Sequence, residues 1–317
     1  MNVSSPDKLV EAYSQVGSAN RRSLEALAVV LAQFRARGID VLLLKGADLI
    51  TRLYGVRGLR PMIDADLLVR ERDLPAIDCI LLESGYLPQI DGNPVYRNPY
   101  SALLLDLVTE FWHTDDTEGI WRRAVQRDMA DLPVNGMGAE DLLLYLTAYV
   151  VLQRGCFSPA FPKDLALLSR KESLNWAFIL EEATRHNLKV PLYHGLSYAA
   201  RHETITMPDH VLKSLAPSCA MEKALAFVLR KLVTDAPVNN IGHFLLFLTR
   251  PNDKKWRWLR QYFFPSVAFL NYRYGERGAA RPIQTRLRRA VSLAAQALRL
   301  SAQVAFLLIT RRSPATP

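Results

Sequence analysis

The hydrophobic pattern in the first third of the chain alternates between amphipathic stretches and short apolar runs. Apolar residues recur at helical spacing over 7–37, and Gly17-Ser18 within this stretch predicts a break into two helices. Gly38 is expected to end the second helix, because glycine readily takes the left-handed conformation that follows a helix. The short apolar runs that predict buried strands are 39–44, 64–69 and 103–108.

Helices are predicted over 48–54 and 73–84, and the proline-containing stretch 86–101 predicts a hairpin or an irregular sheet edge. After residue 138 the pattern changes, and no convincing strand or internal repeat follows. The helices predicted there are 139–154, 161–170, 175–187, 190–202, 208–215 and 219–233. The pattern therefore predicts an α/β region over roughly the first 135 residues and a mainly helical region after it.

Length and charge add a third region. The chain has 317 residues, 50% of them hydrophobic and 22% charged, which is the composition of a globular protein. Its formal net charge is +9 with a pI near 9.5, which favours anionic partners. We expect an α/β domain over 1–138, a helical domain over 139–250 and a basic helical extension over 251–317.

The basic extension could be a solvated cationic face, a nucleic-acid surface or a membrane-surface element. The apolar stretch 290–310 contains one charge, Arg299, and is followed by further arginines, so it could lie on a membrane surface as an amphipathic helix. Polar residues within it argue against spanning a bilayer. Trp256 and Trp258 among lysines and arginines could stack on nucleic-acid bases. Packing against the rest of the protein or a second copy is the preferred interpretation.

The cysteines and the N-terminus bear on the compartment. The three cysteines are far apart, and their spacing indicates neither a disulfide framework nor a metal site. The first residues are polar, so no signal peptide is expected. A reduced, cytoplasmic setting is predicted.

The candidate chemistry centres on Asp64-Ala65-Asp66. In a strand, side chains alternate between faces, so Asp64 and Asp66 should point the same way. Two like charges side by side repel each other, and paired carboxylates with open coordination suit Mg²⁺. The pair therefore indicates metal-assisted phosphate chemistry.

Neighbouring elements add to this pair. Lys45-Gly46 lies between a predicted strand and helix, where glycine allows close approach to a ligand and a helix N-terminus favours phosphate. Asp106 lies in another apolar run, and three carboxylates on neighbouring strands could hold two divalent ions. Arg60 either faces a phosphate or forms a salt bridge with Asp64 or Asp66.

These motifs resemble a known family. The stretch 43–49, with Lys45-Gly46, followed by Arg60-Pro61 and Asp64-Ala65-Asp66-Leu67-Leu68-Val69, is similar to the bacterial uncharacterised nucleotidyltransferases, a branch of the DNA polymerase beta-type superfamily. The resemblance covers roughly residues 20–200. It implies an α+β fold, with a small mixed sheet flanked by helices and a mainly helical C-terminal region.

The resemblance also implies roles. Asp64, Asp66 and Asp106 would be the catalytic metal ligands, with Asp106 near the acceptor hydroxyl, and Lys45, Gly46 and Arg60 would bind the nucleotide. The implied activity is transfer of a nucleotidyl group from an NTP, with two Mg²⁺ ions, to an acceptor such as a peptide or sugar natural product. The helical region would choose this acceptor, for which a small molecule or peptide is preferred over nucleic acid.

Two other functions stay open. Glycosyl transfer from a nucleotide sugar would use the same metal site. A non-catalytic binding module with a basic surface is the alternative outside enzymology. It is motivated by Leu107-Val108-Thr109, which follows Asp106 where the family often has Leu-His-Trp.

Overall fold

The computed structural model divides the chain into two compact units, Met1–Leu142 and Leu143–Pro317. Each unit is described by itself. The residues that the structure describes are 6–55, 57–89, 94–100, 103–129, 132–235, 237–238, 241–249, 255–256, 259–260, 263–265, 267, 270, 274 and 280–309. Trp258 and residue 310 of the predicted surface helix lie outside them.

The first unit contains a seven-stranded mixed sheet in the order β3-β4-β5-β2-β1-β7-β6. Strands β1 and β2 are antiparallel, whereas β2 pairs with β5 and β1 pairs with β7 in parallel. The strands are β1 (Val41–Leu44), β2 (Asp64–Val69), β3 (Leu87–Gln89), β4 (Val95–Arg97), β5 (Leu104–Val108), β6 (Val125–Met129) and β7 (Leu132–Gly136). The helices are α1 (Pro6–Ala36), α2 (Lys45–Arg52), α3 (Leu74–Glu83) and α4 (Thr117–Arg122), with short 3₁₀ turns at Arg57–Leu59 and Glu71–Asp73.

The second unit contains helices and no strand among its described residues. Helix α5 begins in the last residues of the first unit and continues into the second. Two π-helical turns, Tyr149–Arg154 and Arg230–Asp235, extend α5 and α10. The helices are α5 (Ala139–Ala148), α6 (Ala160–Lys171), α7 (Trp176–Arg185), α8 (Lys189–His202), α9 (Asp209–Leu215), α10 (Ala220–Leu229), α11 (Gly242–Thr249) and α12 (Pro282–Ile309). The predicted α+β fold with a helical C-terminal region is confirmed.

One face of the sheet packs against α1 and α3. The apolar stripe of α1 includes Leu24, Leu27, Leu31 and Phe34, whose spacing places them on one side of the helix. These side chains form a single core with the odd-numbered residues of the central strands, such as Leu67. Each fully buried side chain of this size contributes about 1.5–3 kcal/mol. The even-numbered residues of β2 therefore face the opposite side.

The predicted break at Gly17-Ser18 is wrong, because α1 is one continuous helix. Gly17 lies where α1 passes close to the turn Arg57–Leu59. A Cβ at Gly17 would lie 3.6 Å from the Gly58 backbone, and a Cβ at Gly58 would lie 2.6 Å from the Tyr13 carbonyl oxygen. The absent side chains permit close packing here and do not end the helix.

Strand β7 and its partner β6 were not predicted. The β7 sequence Leu-Pro-Val-Asn-Gly is poor in strand-forming residues, and β6 is mostly polar. Strand β7 nevertheless pairs with the buried β1 through Asn135 and Gly136. The pairing is decided by the rest of the sheet and not by local propensity.

Candidate active site

The three candidate carboxylates lie on one face of β2 and β5. Asp64 and Asp66 share a face because side chains alternate along a strand. Asp106 pairs in parallel register with Asp66, so it points to the same face. Asp64 is exposed and Asp106 is half-buried, whereas the Asp66 side chain is only 2% exposed. The structure thus brings the predicted trio together on the face opposite α1 and α3.

Lys45 forms an ion pair with Asp66. It directly follows β1, in which Leu44 pairs with Asp66. The Lys45 Nζ donates to Asp66 Oδ1 at 2.5 Å. Its backbone φ is +42°, in the left-handed region, which costs a non-glycine residue about 1–2 kcal/mol. Backbone strain of this kind concentrates at functional sites, and the nucleotide-binding role of Lys45 stays a prediction.

Asp66 is in an environment that disfavours its charge. Burial raises the pKa of the Asp66 carboxyl above its ordinary value, and repulsion from Asp64 raises the pKa further. The positive charge of Lys45 opposes the burial effect, and Arg60 adds a smaller opposing effect. Additional positive charge beside Asp66 would therefore stabilise its ionised form.

Gly46 brings the start of α2 close to Arg60. A Cβ at Gly46 would lie 3.1 Å from Arg60 Nη1 and 3.3 Å from Met62 Cγ, so a larger residue would require these side chains to shift. Leu44 at the N-cap position offers no side-chain hydrogen bond to the first turn of α2. The first turn of α2 and a guanidinium thus lie together, a combination that suits phosphate oxygens.

Asn20 positions the segment that contains Arg60. Asn20 was not among the residues predicted for the site. Its side chain is buried within α1. The Asn20 Nδ2 donates to the Arg60 carbonyl oxygen at 2.7 Å, and the Met62 backbone N–H donates to Asn20 Oδ1 at 3.1 Å. The sequence signal that could have identified Asn20 is its position, because it is a polar residue four positions before Leu24 and in line with the apolar stripe of α1.

The carboxylates offer the oxygen donors that Mg²⁺ prefers. Asp64 and Asp66 fit a divalent cation as a pair, because they lie on one face of β2 and their like charges repel each other until a cation is shared between them. In the part of the chain that the structure describes, no group of three His, Cys, Asp or Glu side chains is placed to hold a metal ion. The predicted three-carboxylate centre for two ions stays a prediction.

A second buried carboxylate, Asp48, lies on α2 and was also missed. Its side chain is 1% exposed and forms ion pairs with Arg52 at 3.5 Å and Arg127 at 3.4 Å. Both guanidiniums also donate to the Met137 carbonyl oxygen, at 3.1 and 2.9 Å. A Cβ at Gly136 would lie 2.6 Å from Asp48 Oδ1, so only glycine leaves room there. This cluster joins α2 to β6 and β7.

The chain belongs to the family of uncharacterised nucleotidyltransferases, whose sequence profile matches residues 3–202. The matched range contains all of the candidate residues described above, and the protein is therefore a nucleotidyltransferase. No curated protein sequence matches the chain.

Two solved structures are similar to this chain. The solution structure of the antibiotic-resistance factor ANT(2'')-Ia has a TM-score of 0.42 and 16% identity, and the match covers 58% of this chain and 100% of that one. The crystal structure of ANT(2")-Ia in complex with adenylyl-2"-tobramycin has a TM-score of 0.40 and 16% identity, and the match covers 51% of this chain and 95% of that one.

Proposed function

We propose that the protein transfers a nucleotidyl group from an NTP to a hydroxyl group of a small molecule or peptide, with Mg²⁺ as the metal. The observation that carries the proposal is the parallel register of Asp66 with Asp106, beside the Lys45–Asp66 ion pair. Asp64 and Asp66 would hold the divalent cation, and Asp106 would act near the acceptor. The acceptor-binding role predicted for residues 139–250 stays a prediction.

The proposed reaction is a displacement at the α-phosphorus of the NTP. The acceptor oxygen forms a bond to this phosphorus, the bond to pyrophosphate breaks, and Asp106 accepts the proton that the hydroxyl loses. A bound divalent cation would lower the pKa of the attacking hydroxyl and neutralise negative charge on the phosphates. Catalysis by this chain is then mostly positioning and charge stabilisation.

The phosphate chain would be bound beside Gly46. The N-terminal amides of α2 and the Arg60 guanidinium lie together there, as the 3.1 Å from a Gly46 Cβ to Arg60 Nη1 indicates. Lys45 is adjacent and adds a mobile positive charge. These groups would hold the β- and γ-phosphates while the α-phosphorus faces the carboxylates.

The test combines nucleotide binding with turnover. The purified chain is incubated with each NTP and Mg²⁺ or Mn²⁺ and with hydroxyl-bearing small molecules and peptides. Pyrophosphate release and a mass increase of one nucleoside monophosphate on the acceptor are measured, and NTP binding is followed by calorimetry. We expect Asp66→Asn to reduce turnover at least about a hundredfold, because the site loses a charge that acts on the transition state.

Asp40→Asn is the matched control, since Asp40 is an exposed carboxylate just before β1. It should retain full turnover. Turnover that survives Asp66→Asn would contradict the proposed metal site. A wild-type chain that binds no nucleotide would indicate a binding module, and transfer of a sugar from a nucleotide sugar would indicate glycosyl transfer.

A further inference from the structure

Helix α12 has one face that packs against its own unit. Val304 is buried on this face, and α12 contacts the π-helical turn Arg230–Asp235. Near the start of the helix, Arg286 Nε donates to the Pro265 carbonyl oxygen at 3.0 Å. Leu293 and Leu300, at heptad spacing and in line with Val304, are half-buried. The inner face of α12 therefore has its partners within the unit.

The outer face of α12 carries a second, exposed apolar stripe. Ile283, Leu287, Val291 and Leu298 are 72%, 62%, 71% and 72% exposed. Their spacings are four, four and seven residues. At about 100° per residue, the four side chains therefore lie within an arc of about 80° around the helix axis. A contiguous row of large exposed aliphatic side chains marks an interaction surface. We call these four residues the outer stripe.

Arginines follow one edge of the outer stripe. Arg281, Arg288 and Arg299 are all exposed, and their spacings of seven and eleven residues place them in line along the helix axis. The sequence from 277 to 317 contains arginines and no Asp or Glu. The surface is therefore apolar along its centre and positively charged along its edge.

We propose that the outer stripe binds the surface of an anionic lipid bilayer, with α12 lying in the plane of the interface. An interfacial helix of this kind buries its apolar row at the boundary between headgroups and acyl chains, and its arginines contact anionic headgroups. A second copy of α12 would bring the arginine edges together with no acidic side chain on the helix to neutralise them. Nucleic acid would leave the four aliphatic side chains unburied.

The proposed binding is peripheral. Among the residues that the structure describes, no helix has the length and apolar composition needed to cross a bilayer. The 28 residues of α12 extend about 42 Å, at about 1.5 Å per residue. The outer stripe lies within the first 17 of these 28 residues and leaves the inner face in contact with the protein.

The experiment measures co-sedimentation of the full chain with vesicles. We expect binding to phosphatidylcholine vesicles that contain phosphatidylglycerol, and at least about tenfold weaker binding to pure phosphatidylcholine. Binding should fall several-fold when NaCl is raised from 0.1 M to 1 M, because the Debye length falls from about 10 Å to about 3 Å.

The decisive variants introduce the same charge at different positions of α12. The double substitution Val291→Asp, Leu298→Asp is expected to reduce binding to anionic vesicles at least about tenfold. The control Ser292→Asp, Gln303→Asp introduces the same charge at two exposed residues outside the outer stripe. These residues lie one turn from Arg288 and Arg299, so a moderate loss is expected, but the control should bind at least about threefold more tightly than the outer-stripe variant. Circular dichroism establishes that both variants retain helix.

Three outcomes would overturn the proposal. The first is no binding of the wild-type chain to anionic vesicles at low salt. The second is equal weakening by the two double variants, which would indicate charge alone. The third is a wild-type dimer in light scattering that the outer-stripe variant alone converts to a monomer, which would assign the stripe to a second copy of the chain.

Discussion

Two aspartates in the first unit are equally buried and differ in how their charge is balanced. Asp48 lies between two arginines, and both of these arginines also donate to the Met137 carbonyl oxygen. Asp66 pairs with one lysine, burial raises its pKa, and repulsion from Asp64, two residues away, raises the pKa further. The first carboxylate is enclosed by opposite charge, and the second is only partly compensated.

The difference separates a structural carboxylate from a functional candidate. The Asp48 cluster holds α2 against β6 and β7, and a residue larger than glycine at position 136 would collide with it. Asp66 is held by a flexible side chain whose own backbone is in the left-handed region. A buried group that still favours additional positive charge is suited to binding a cation or a charged ligand. Burial of an acid alone therefore does not identify the site.

The largest expected effect is on stability. Asp48→Asn should lower the free energy of unfolding by about 3–5 kcal/mol, because it leaves the side chains of Arg52 and Arg127 without the anion that they enclose. Asp66→Asn should change it by about 1 kcal/mol or less, because burial already disfavours the Asp66 charge and the Lys45 ammonium can reach water. Urea unfolding followed by circular dichroism measures both. Equal losses in the two variants would show that the two carboxylates have the same structural role.

A smaller effect comes from His194, a buried ionisable group in the second unit. Burial lowers the pKa of His194 to about 4, with Arg201 and Arg230 lowering it further and Asp235 opposing them. As the pH falls, the unfolded state therefore binds the proton before the folded state does. The free energy of unfolding is unaffected by His194 above the ordinary pKa of 6.5, and it decreases as the pH falls from 6.5 toward 4. The loss should be about 2–3 kcal/mol in urea unfolding.

The variant His194→Gln tests this directly, because it has no proton to gain. Its stability should be flat between pH 6.5 and 4 apart from the changes that all variants share. His210→Gln, at an exposed histidine, should keep the wild-type pH dependence. If His194→Gln also keeps that dependence, burial does not hold His194 neutral, and the effect of burial on Asp66 would need the same reconsideration.

The smallest expected effect tests whether the Asp66 neighbourhood depends on α1. Asn20→Ala removes both hydrogen bonds to the Arg60 segment and should cost about 1–3 kcal/mol of stability. NTP affinity should also fall about threefold to tenfold, since Arg60 would no longer be held beside Gly46. Calorimetry with the folded variant measures the affinity.

Gln33→Ala is the control from the same helix, because Gln33 accepts a hydrogen bond from Ser84 away from the site. It should leave NTP affinity unchanged. An equal loss of affinity in the two variants would assign the effect to α1 as a whole and not to the Asn20 contacts.

Local pattern was sufficient for most elements of the site. The strand Asp64–Val69 begins and ends as predicted, with Pro61 shortly before it and the polar Arg70 directly after its apolar end. Helix α2 begins three residues before its predicted start, since the chain turns from strand to helix at Lys45 itself. The predicted hairpin over 86–101 is found as the antiparallel pair β3 and β4.

Other features depended on contacts that no local pattern contains. Gly17 indicated a helix break when considered alone, but it lies against the Gly58 backbone within a continuous helix. Strand β7 forms because β1 offers a parallel partner, in spite of its proline, asparagine and glycine. In both cases a tertiary contact outweighs a local preference of about 1 kcal/mol.

The sequence alone determined which residues are candidates for the site and on which elements they lie. The alternation along β2 places Asp64 and Asp66 on one face, and Lys45-Gly46 marks the turn into a helix. Only the tertiary structure decided that Asp66 lies in register with Asp106 and accepts the Lys45 ammonium, and that Asp48 belongs to an arginine cluster instead. The physical reason is that charge balance in a buried site depends on strand order and register, which join residues that are far apart along the chain.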